Sequence, residues 1–548
     1  MQGLRERCNT MAITADHAIV RDAATVVAFV GRTLRGPINT PVAIASFAQF
    51  QNVFGGVWQP SPLSYAVEHF FEQGGVQAVI VRVVNGGVAP TITLKCAEQA
   101  LTLQALTPGT REFLRAAVDY DNLGDVQADY DDRFNLVVQR VRAAGSERVE
   151  MQETFRRVSI NPATPRYIAN VLMESKLVRM CGAPPTVRPD ETLAVGGYAH
   201  SNNDGDDGQS LTDYDIIGSA SDGSGLFALQ EVDSLSYVYI PPLTREQDLG
   251  VSALLVAERF CRERQAILIV DPPSSWKKAD AALRGLDAFG LQSSHAVMFF
   301  PRIVAPDRQR GRNENFGNGG AVAGVLARAE AQRPAWAMDE SAPDLTLRSG
   351  ARPSCDLSEG DCWRLTAQGV NPLRASRSTA EVAPLARTLA GGVHSAADWG
   401  YLRFQRLACF IVSHVERGTR WARHVRSEPA TWRRVVRQVE RFMNELAILG
   451  AFPAANAAPQ AFMVACDERM HDSADLEAGR VNMLVAFAAS RAGQYHGFLI
   501  TQTPLGAAIK PASINALQMP VVIEPWADAV GAAPESTQHD RPHTLAAH

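Results

Sequence analysis

The chain has 548 residues, which is more than one hydrophobic core can organise, because single cores stop growing at roughly 250 to 300 residues. Its hydrophobic fraction of 46% and charged fraction of 20% are those of a globular protein and exclude an intrinsically disordered chain. The formal net charge of -5 excludes the strongly basic field that nucleic-acid binders usually present. We therefore expect several folded domains and no nucleic-acid partner.

Eight cysteines are scattered along the chain without a C-x-x-C pair or the spacing of a zinc site, so we expect reduced, mostly buried thiols. Residues 1–10 are not followed by the apolar core of a signal peptide, and no run reaches the roughly 18 apolar residues of a membrane span. These features predict a protein that is made and kept in a cytoplasm and has no membrane partner.

Residues 1–24 are weakly periodic and have too little apolar content to anchor themselves, so we predict an extended N-terminal arm. A continuous β-branched and aromatic run over 25–31 predicts a strand buried on both faces. Ser61-Pro62 begins a predicted helix, and a second buried strand follows over 76–84. Strand, helix and strand in this order form a βαβ unit, so residues 25–88 are predicted to begin a parallel α/β domain.

The pattern over 89–181 is different, because short alternating runs at 91–94 and 134–138 are typical of strands. We predict an inserted β-rich domain there, ending in a helical stretch over 167–178. Residues 182–230 are rich in Gly, Asp, Ser and Asn and are predicted to form a linker or loop without regular structure.

The α/β pattern resumes over 231–370, which we assign to the second part of the central domain. Thr244 and Gln247 have the spacing of a capping box, which predicts a helix that continues to about Arg264. Further predictions are strands at 236–240, 266–270 and 295–300, a helix at 279–289, and a polar stretch at about 311–372.

The C-terminal third is predicted to form an α+β assembly domain over 371–503. Its strongest helix covers 431–449, where apolar residues form one stripe and arginines lie away from it. Strands are predicted at 461–466, 480–487 and 495–501, followed by a loose tail over 504–548. The predicted fold class is multidomain α/β, with a central parallel domain, an inserted β-rich domain and an α+β C-terminal domain.

Asp271 is the main candidate for catalysis, because it follows a predicted parallel strand and α/β enzymes place catalytic groups at the carboxyl ends of such strands. Asp271-Pro272-Pro273 is also an ordinary turn that ends a strand, and this interpretation is favoured. Ser224 lacks the G-x-S-x-G pattern, and His414 and His424 lack the H-E-x-x-H spacing of a zinc enzyme. We therefore expect no catalytic residue, with an α/β hydrolase-like enzyme that uses Asp271 as an alternative.

Asn202, Asp204 and Asp206 alternate as in a calcium loop, but Asp207 and Asp213 stand at the sixth and twelfth positions, where Gly and Glu are required. No G-x-x-x-x-G-K-[ST] phosphate loop occurs in the sequence. We therefore expect neither a metal nor a cofactor, and any mechanical work must use free energy stored in the structure.

Distinctive sequence blocks occur along most of the chain. They are Val26–Arg32, Arg35-Gly36-Pro37, Ser46–Phe50, Phe54-Gly55-Gly56, Val81-Arg82-Val83, Gly225–Leu229, Gly320–Val325, Asn371–Arg374, Ala386–Leu389, Glu416–Ala422 and Gly479–Asn482. In this combination they resemble the tail sheath proteins of contractile phages and of related phage-like injection particles. Two places depart from that family: Pro384-Leu385 stands where Trp-Gly is usual, and residues 423–427 replace a Phe-x-Pro-Asn motif.

The resemblance implies a structural subunit that stacks in rings of six around an inner tube, exchanges extended arms with its neighbours and contracts to drive the tube through a target cell envelope. Expected partners are further copies of the chain, the inner tube protein, baseplate and terminator proteins and, where one exists, a sheath paralogue. No cofactor is implied. The protein would be made in the bacterial cytoplasm and assembled into a phage tail or a phage-like injection particle.

The resemblance also points to three sets of assembly residues. They are the N-terminal arm residues Ile13, Ile19 and Val20, the C-terminal exchange-strand residues Phe498, Leu499 and Ile500, and the tube-facing helix residues Arg433, Arg434 and Arg437. A charged outer helix face is more often simply solvated, and this interpretation stays open for the arginines. A non-contractile self-assembling surface protein is a second alternative to the sheath.

Overall fold

The computed structural model describes residues 18–20, 25–123, 132–192, 197–338, 345–376, 379–382, 385–390, 398–453, 461–491 and 493–512. The chain divides into two compact units, one of residues 22–410 and one of residues 1–21 together with 411–548. The strands are β1 (Val27–Gly31), β2 (Val42–Ile44), β3 (Ala78–Arg82), β4 (Thr91–Cys96), β5 (Gln99–Ala105), β6 (Leu114–Asp119), β7 (Arg133–Val141), β8 (Val149–Ser159), β9 (Val178–Cys181), β10 (Ala199–His200), β11 (Tyr237–Tyr239), β12 (Ile267–Val270), β13 (Ala296–Phe300), β14 (Ile303–Asp307), β15 (Arg312–Phe316), β16 (Arg352–Pro353), β17 (Asn371–Pro372), β18 (Arg374–Ser376), β19 (Thr379–Glu381), β20 (Phe462–Ala465), β21 (Val481–Ala488), β22 (Tyr495–Thr503) and β23 (Gly506–Ala512). The helices are α1 (Phe47–Phe54), α2 (Pro62–Glu72), α3 (Ile168–Leu172), α4 (Asp213–Ile217), α5 (Val251–Glu263), α6 (Ala279–Phe289), α7 (Gly319–Gln332), α8 (Glu359–Ala367), α9 (Leu402–Gly418), α10 (Pro429–Ile448) and α11 (Ser473–Glu477).

The larger unit is built on a seven-stranded sheet with the order β17-β13-β12-β11-β1-β3-β2. β1 pairs in parallel with β11 on one side and with β3 on the other, and the parallel ladder continues through β12, β13 and β17. Every residue of β1, β3, β12 and β13 is buried, because both faces of the sheet are covered and neither needs polar side chains. The predicted parallel α/β sheet is therefore confirmed.

The stretch predicted to be polar contains a buried helix, α7, whose residues from Gly319 to Ala329 are all buried. Gly320 and Gly324 allow α7 to approach α2 closely, since a Cβ at either position would lie 2.4 Å from a backbone oxygen of α2. A helix rich in glycine and alanine has little hydrophobic periodicity. This is why the sequence interpretation was wrong here.

A buried ion pair connects four segments of the larger unit. The Glu330 carboxylate accepts hydrogen bonds from Thr25 at 2.6 Å, from Tyr237 at 2.5 Å and from the Arg406 guanidinium at 3.0 and 3.2 Å. The Glu330 and Arg406 side chains are only 6% and 7% exposed. Burial alone would raise the pKa of Glu330, but the Arg406 charge and these hydrogen bonds outweigh burial and lower it.

Helix α5 begins later than the capping-box spacing predicted. The Gln247 N–H donates to the Thr244 hydroxyl at 3.0 Å, and the Thr244 N–H donates to the Gln247 carbonyl at 3.2 Å, so the two residues close a local turn. The helix starts at Val251 with Gly250 as its N-cap. Side-chain to backbone bonding of this kind also stabilises non-helical turns, which explains the error.

The inserted region contains two sheets, with the orders β4-β5-β9 and β10-β6-β7-β8, that share one apolar core. The helical stretch predicted over 167–178 is helical only in α3, and β9 begins at Val178. The segment 182–230, predicted to lack regular structure, contributes β10, α4 and a 3-10 helix at Gly225–Glu231.

Three arginines of the central domain contact the inserted region and the loop after it. Arg32 donates to two carbonyls of the 182–230 loop at 2.8 Å, and buried Arg82 donates to a carbonyl of the β5–β6 connection at 2.8 Å. Arg35 pairs with Glu150 of β8 at 2.9 Å. Burial lowers the pKa of Arg82 to about 10, which leaves it protonated at neutral pH. Three of the sequence blocks that carry the resemblance therefore fasten the insertion and the loop after it to the central sheet.

The smaller unit contains α10 and a four-stranded antiparallel sheet with the order β20-β21-β22-β23. α10 buries the predicted apolar stripe, including Trp432, Val439 and Phe442, and β21 is buried along its whole length. The helix and the first three strands were predicted correctly. The prediction of a loose tail from residue 504 was wrong as far as Ala512, because β23 pairs with β22.

No helix in the described part of the chain is both long and apolar enough to cross a membrane. The described cysteines carry free thiols, and Cys181 is exposed. Among the described residues, no group of three or more His, Cys, Asp or Glu side chains is arranged to hold a metal ion.

Candidate assembly site in the C-terminal unit

A polar turn lies where α9 ends, over residues 416–424. The Glu416 carboxylate accepts hydrogen bonds from Arg420 at 3.0 and 3.1 Å and from Arg423 at 2.5 Å. The Glu416 and Arg423 side chains are only 14% and 17% exposed, so these charges neutralise one another in a largely buried setting. The turn contains the most specific of the sequence blocks that carry the resemblance.

Gln502 of β22 fastens the sheet to this turn. Its amide nitrogen donates to the Glu416 carbonyl at 2.7 Å and to the Thr419 hydroxyl at 2.9 Å, and its oxygen accepts from Arg423 at 2.6 Å. A buried amide needs such partners for both of its polar atoms. Gln502 was not predicted from the sequence, although its place at period two from Phe498 on a predicted strand was an available signal.

Of the described residues of the N-terminal arm, 18–20, Ile19 contacts the same turn. Ile19 is 7% exposed and lies against Gly418, where an added Cβ would be 2.6 Å from Ile19 Cγ1. Val20 is 80% exposed, and Ile13 lies outside the described residues. The expectation that the arm finds no anchor in its own chain is therefore wrong at Ile19, because the missing side chain of Gly418 leaves a recess that one isoleucine fills.

Phe498, Leu499 and Ile500 lie in an interior strand. β22 pairs with β21 over residues 495–502 and with β23 over 497–503, so its main-chain groups are engaged on both sides. These residues cannot accept a further strand while β23 is in place, which corrects the prediction of a terminal exchange strand. Within the described chain, the outer edges of the sheet are β20 and β23. The β23 sequence, with Gly, Ala, Lys and Pro, has weak β-propensity and was missed for that reason.

The three arginines assigned to a tube-facing helix lie in two different environments on α10. Arg433 and Arg437 are exposed and one helical turn apart. The Arg434 guanidinium instead lies over the Trp421 ring, 4.3 Å from the ring centroid, as a cation–π contact. The exposed basic face therefore consists of Arg433 and Arg437, while Arg434 packs against the turn.

Asp271, on which the enzyme alternative depends, has a structural role. Its carboxylate accepts hydrogen bonds from the Tyr239 hydroxyl at 2.6 Å and from the Gly319 N–H at 2.9 Å, and burial raises its pKa. A Cβ at Gly317 would lie 2.0 Å from the same carboxylate, so the backbone of residue 317 packs directly against Asp271. Asp271 thus caps the N-terminus of α7.

The acidic loop and the histidines considered for metal binding also have structural roles. Asp204 accepts hydrogen bonds from the Thr91 N–H at 2.9 Å and hydroxyl at 2.6 Å, and Asp207 accepts the same pair from Thr110 at 2.9 Å. These carboxylates therefore fix the loop to the inserted region. His414 is 3% exposed and stacks on an aromatic ring of α10.

Neither the protein-family models nor the curated proteins that were searched contain a match to this chain. A sheath tail protein from Listeria innocua matches its structure with a TM-score of 0.58 and 13% identity, over 91% of this chain and 99% of that one. A sheath tail protein from Desulfitobacterium hafniense matches with a TM-score of 0.50 and 13% identity, over 88% and 97% of the two chains. The sheath of an extracellular contractile injection system, PVC, in its contracted state matches with a TM-score of 0.50 and 13% identity, over 87% and 90%.

These matches extend over most of each chain, and by their descriptions all three structures are sheath proteins. They confirm, for the fold, the resemblance that the sequence blocks indicated. The chain has the fold of the contractile sheath tail proteins.

Proposed function

We propose that the chain is the structural subunit of a contractile tail sheath, which polymerises as stacked rings of six around an inner tube and contracts to drive the tube through a target cell envelope. The observation that carries the proposal is the structure of the C-terminal unit, which has two sheet edges and a contact with the N-terminal arm. Its antiparallel sheet ends in β20 and β23 within the described residues, and the turn over 416–424 holds a residue of the N-terminal arm. The shared fold supports the same conclusion.

Sheet edges of this kind suit strand exchange between neighbouring subunits. An extended arm can add to β20 or β23 through main-chain hydrogen bonds, while pockets take alternate side chains. Each bond contributes only about 1 kcal/mol net, so several bonds per arm, repeated in every ring, join the subunits firmly and still allow rotation. In this scheme Ile13, Ile19 and Val20 belong to the donated arm, and the strand that contains Phe498, Leu499 and Ile500 is the interior strand on which the edges pair.

Contraction requires rigid bodies that turn relative to one another. The buried Glu330–Arg406 pair and the arginines that hold the insertion favour a larger unit that moves as one body. Contraction would then release the free energy of a kinetically trapped extended lattice into a compact lattice that buries more surface. This mechanism needs no cofactor and no enzymatic step.

We assign the exposed face of α10 with Arg433 and Arg437 to the inner tube. Exposed cations attract an acidic surface over about one Debye length, so this contact would be sensitive to salt and would separate readily when the sheath moves. Baseplate and terminator proteins would bind the two ends of the sheath, and a sheath paralogue could share the lattice. The subunit would be made in the bacterial cytoplasm and assembled into a phage tail or a phage-like injection particle.

The proposed domain organisation follows the same scheme. It comprises the arm at 1–24, a central α/β domain from 25–88 and 231–370, an insertion at 89–181 with its loop at 182–230, and a C-terminal assembly domain from 371 whose sheet extends to Ala512. The engaged carboxylate of Asp271 argues against the hydrolase alternative. A non-contractile surface protein would also polymerise, but into a lattice of one fixed length without a central tube.

Electron microscopy of the purified protein, alone and with its inner tube protein, tests the proposal. We expect hollow striated cylinders from the full chain. A variant that lacks residues 1–22 should remain folded by circular dichroism and form no cylinders, because its arms are missing. Normal cylinders from the truncated variant would contradict the role of the arm, and a stable monomer of the full chain in both samples would contradict the sheath function.

A further inference from the structure

A small cavity lies at the edge of the central sheet where the parallel strands end. α2, which follows β1, packs on one face of the sheet, and α5, which follows β11, packs on the other, so the chain winds in opposite directions from these neighbouring strands. In open α/β sheets, ligands bind in the crevice at the carboxyl ends of such strands. The cavity is lined from both sides of this point, by Tyr65 and His69 of α2 and by Tyr239 and Arg245.

His69 lines this cavity with an imidazole that has no hydrogen-bond partner among the described residues. Its side chain is only 3% exposed, and its ring lies edge-on to Phe316 with the ring centroids 5.0 Å apart. Burial lowers the pKa of His69 to about 4, so at neutral pH the ring has one N–H donor and one acceptor nitrogen. Buried polar groups normally have partners, so a ligand in the cavity is needed to satisfy them.

Arg302 and Asn315 also line the cavity with unused hydrogen-bonding groups. Arg302 is 8% exposed and donates through Nε to the Pro272 carbonyl at 2.9 Å and through Nη2 to Asp248. Its Nη1 group has no partner in the described part of the chain. Asn315 of β15 is exposed, and its side-chain amide makes no hydrogen bond within the described ranges. The cavity therefore offers donors from two side chains and both a donor and an acceptor from His69.

The charges around the cavity are already paired. Arg302 pairs with Asp248, and Arg245 pairs with Asp307 at 2.7 Å, so each of these guanidinium groups has a carboxylate. A bound anion would add a second negative charge beside these pairs, and a bound cation would lie against two guanidinium groups. A neutral ligand therefore fits the cavity best.

The size of the cavity limits the ligand further. Its volume is about 30 Å³. One water molecule needs about 10–15 Å³ on the same scale, so the cavity holds about two groups of that size. A primary carboxamide is a neutral group of this size that has an acceptor oxygen and a donor nitrogen.

We propose that this cavity is a binding site for a primary carboxamide group, supplied by a small amide or by an asparagine or glutamine side chain of a partner protein. The carbonyl oxygen accepts a hydrogen bond from Nη1 of Arg302, and the amide nitrogen donates to the acceptor nitrogen of His69. Asn315 supplies a further hydrogen bond to the bound amide. This site does not depend on the proposed sheath function, because the free subunit contains all three residues.

NMR of the free subunit labelled with 15N-histidine tests the chemistry of the site, with acetamide as the probe. The ring signals of His69 are assigned as those that disappear in His69→Leu, or in His69→Gln if the leucine variant does not fold. We expect a saturable shift of these signals with a Kd of about 1–100 mM, because a ligand of so few atoms binds weakly. Sodium acetate, which has the same shape and a negative charge, should give no saturable shift.

Two asparagines of β15 provide the matched variants. Asn313 and Asn315 are both exposed, and Asn315 lines the cavity. Asn315→Ala should weaken acetamide binding roughly fivefold, as expected for the loss of one hydrogen bond. Asn313→Ala should leave the Kd unchanged.

The outcomes are distinct. A shift that grows linearly with acetamide and never saturates would overturn the site, since it would show that only solvent enters the cavity. Equal saturation by acetate would overturn the assignment to a neutral amide, and equal Kd values for Asn313→Ala and Asn315→Ala would place the binding elsewhere.

Solid-state NMR of assembled cylinders without acetamide identifies the source of the amide. His69 signals at the acetamide-bound position would show that a partner's asparagine or glutamine occupies the cavity, and signals at the free position would assign the site to small amides. If the chain forms no cylinders, the sheath function fails while the acetamide titration still decides the chemistry of the site.

Discussion

At the scale of single residues, the buried Glu330 carboxylate is expected to contribute strongly to the stability of the fold. Glu330→Gln leaves the Arg406 guanidinium buried without its counter-charge, and we expect a loss of about 3–5 kcal/mol in the free energy of unfolding. Denaturant unfolding followed by circular dichroism measures this change. Glu263→Gln is the control, because Glu263 pairs with Arg259 on the surface with side chains 59% and 74% exposed, and should change stability by less than about 1 kcal/mol.

The pH dependence of the Glu330 variant has a definite sign. The folded-state pKa of Glu330 is lowered, so its stabilisation is present above the unfolded value of about 4.3 and is lost as the pH falls through the folded value. The difference in stability between wild type and Glu330→Gln should therefore shrink below pH 4. Equal losses for Glu330→Gln and Glu263→Gln at neutral pH would contradict the account of this ion pair.

Two buried histidines predict a loss of stability in mild acid. Burial lowers the pKa of His69 and of His295 to about 4 each, whereas an unfolded histidine titrates near 6.5. Between pH 6.5 and pH 4 the unfolded chain therefore binds more protons than the folded chain. The free energy of unfolding is highest above pH 6.5 and falls by about 3 kcal/mol for each histidine as the pH approaches 4. His295→Gln should flatten this slope in an unfolding series from pH 7 to pH 4.5, and His424→Gln, at an exposed position, should leave it unchanged. Parallel slopes in wild type and His295→Gln would refute the prediction.

Contacts between distant residues were the least predictable from the sequence. Glu330 meets Arg406 across a separation of 76 residues, and Gln502 meets Glu416 across 86. Periodicity relates residues within one helix or strand, so it identifies apolar faces but not such polar partners. The contact between Gly418 and Ile19 could not be predicted for a similar reason, because the residues around a glycine in the sequence do not indicate which distant side chain packs against it.

At the scale of elements, β23 protects the edge of β22. Truncation after Thr503 removes β23 and leaves the main chain of β22 unpaired on one side, so we expect dimers and larger species from edge-to-edge pairing. Truncation after Ala512 keeps β23 and is the matched control. Size-exclusion chromatography with light scattering compares the two proteins at equal concentration. The same oligomeric state for both would show that β23 does not protect the edge.

Elements with strong periodicity were predicted well. α10 has a continuous apolar stripe, and β21 and β22 are rich in β-branched and aromatic residues, so both kinds of pattern were visible. α7 and β23 were missed because glycine and alanine carry little hydrophobic signal, although each is fixed by its neighbours in the fold. The Thr244–Gln247 spacing does produce the hydrogen bond from the Gln247 N–H to the Thr244 hydroxyl, but that bond closes a turn. The same side-chain to backbone bond can begin a helix or stabilise a non-helical turn, so the spacing alone does not distinguish the two.

At the scale of the whole molecule, the alternation of strands and helices was sufficient to predict the parallel α/β sheet. The C-terminal assembly domain, which was predicted to begin at residue 371, stays a prediction, while the two compact units divide between Phe410 and Ile411, within α9. A continuous helix gives no composition shift at such a boundary, so it could not be predicted from the sequence. The sheath resemblance was carried by local blocks and agrees with the fold of the sheath tail proteins.

Cryo-electron microscopy of cylinders assembled around the inner tube, before and after a destabilising trigger such as mild acid or urea, tests the central claim most directly. We predict two helical lattices with different axial rise per ring, in which each unit of the subunit keeps its internal fold while the arms connect neighbours. One lattice of unchanged rise in both conditions, or a chain that never forms cylinders with the tube protein, would contradict the contractile sheath function.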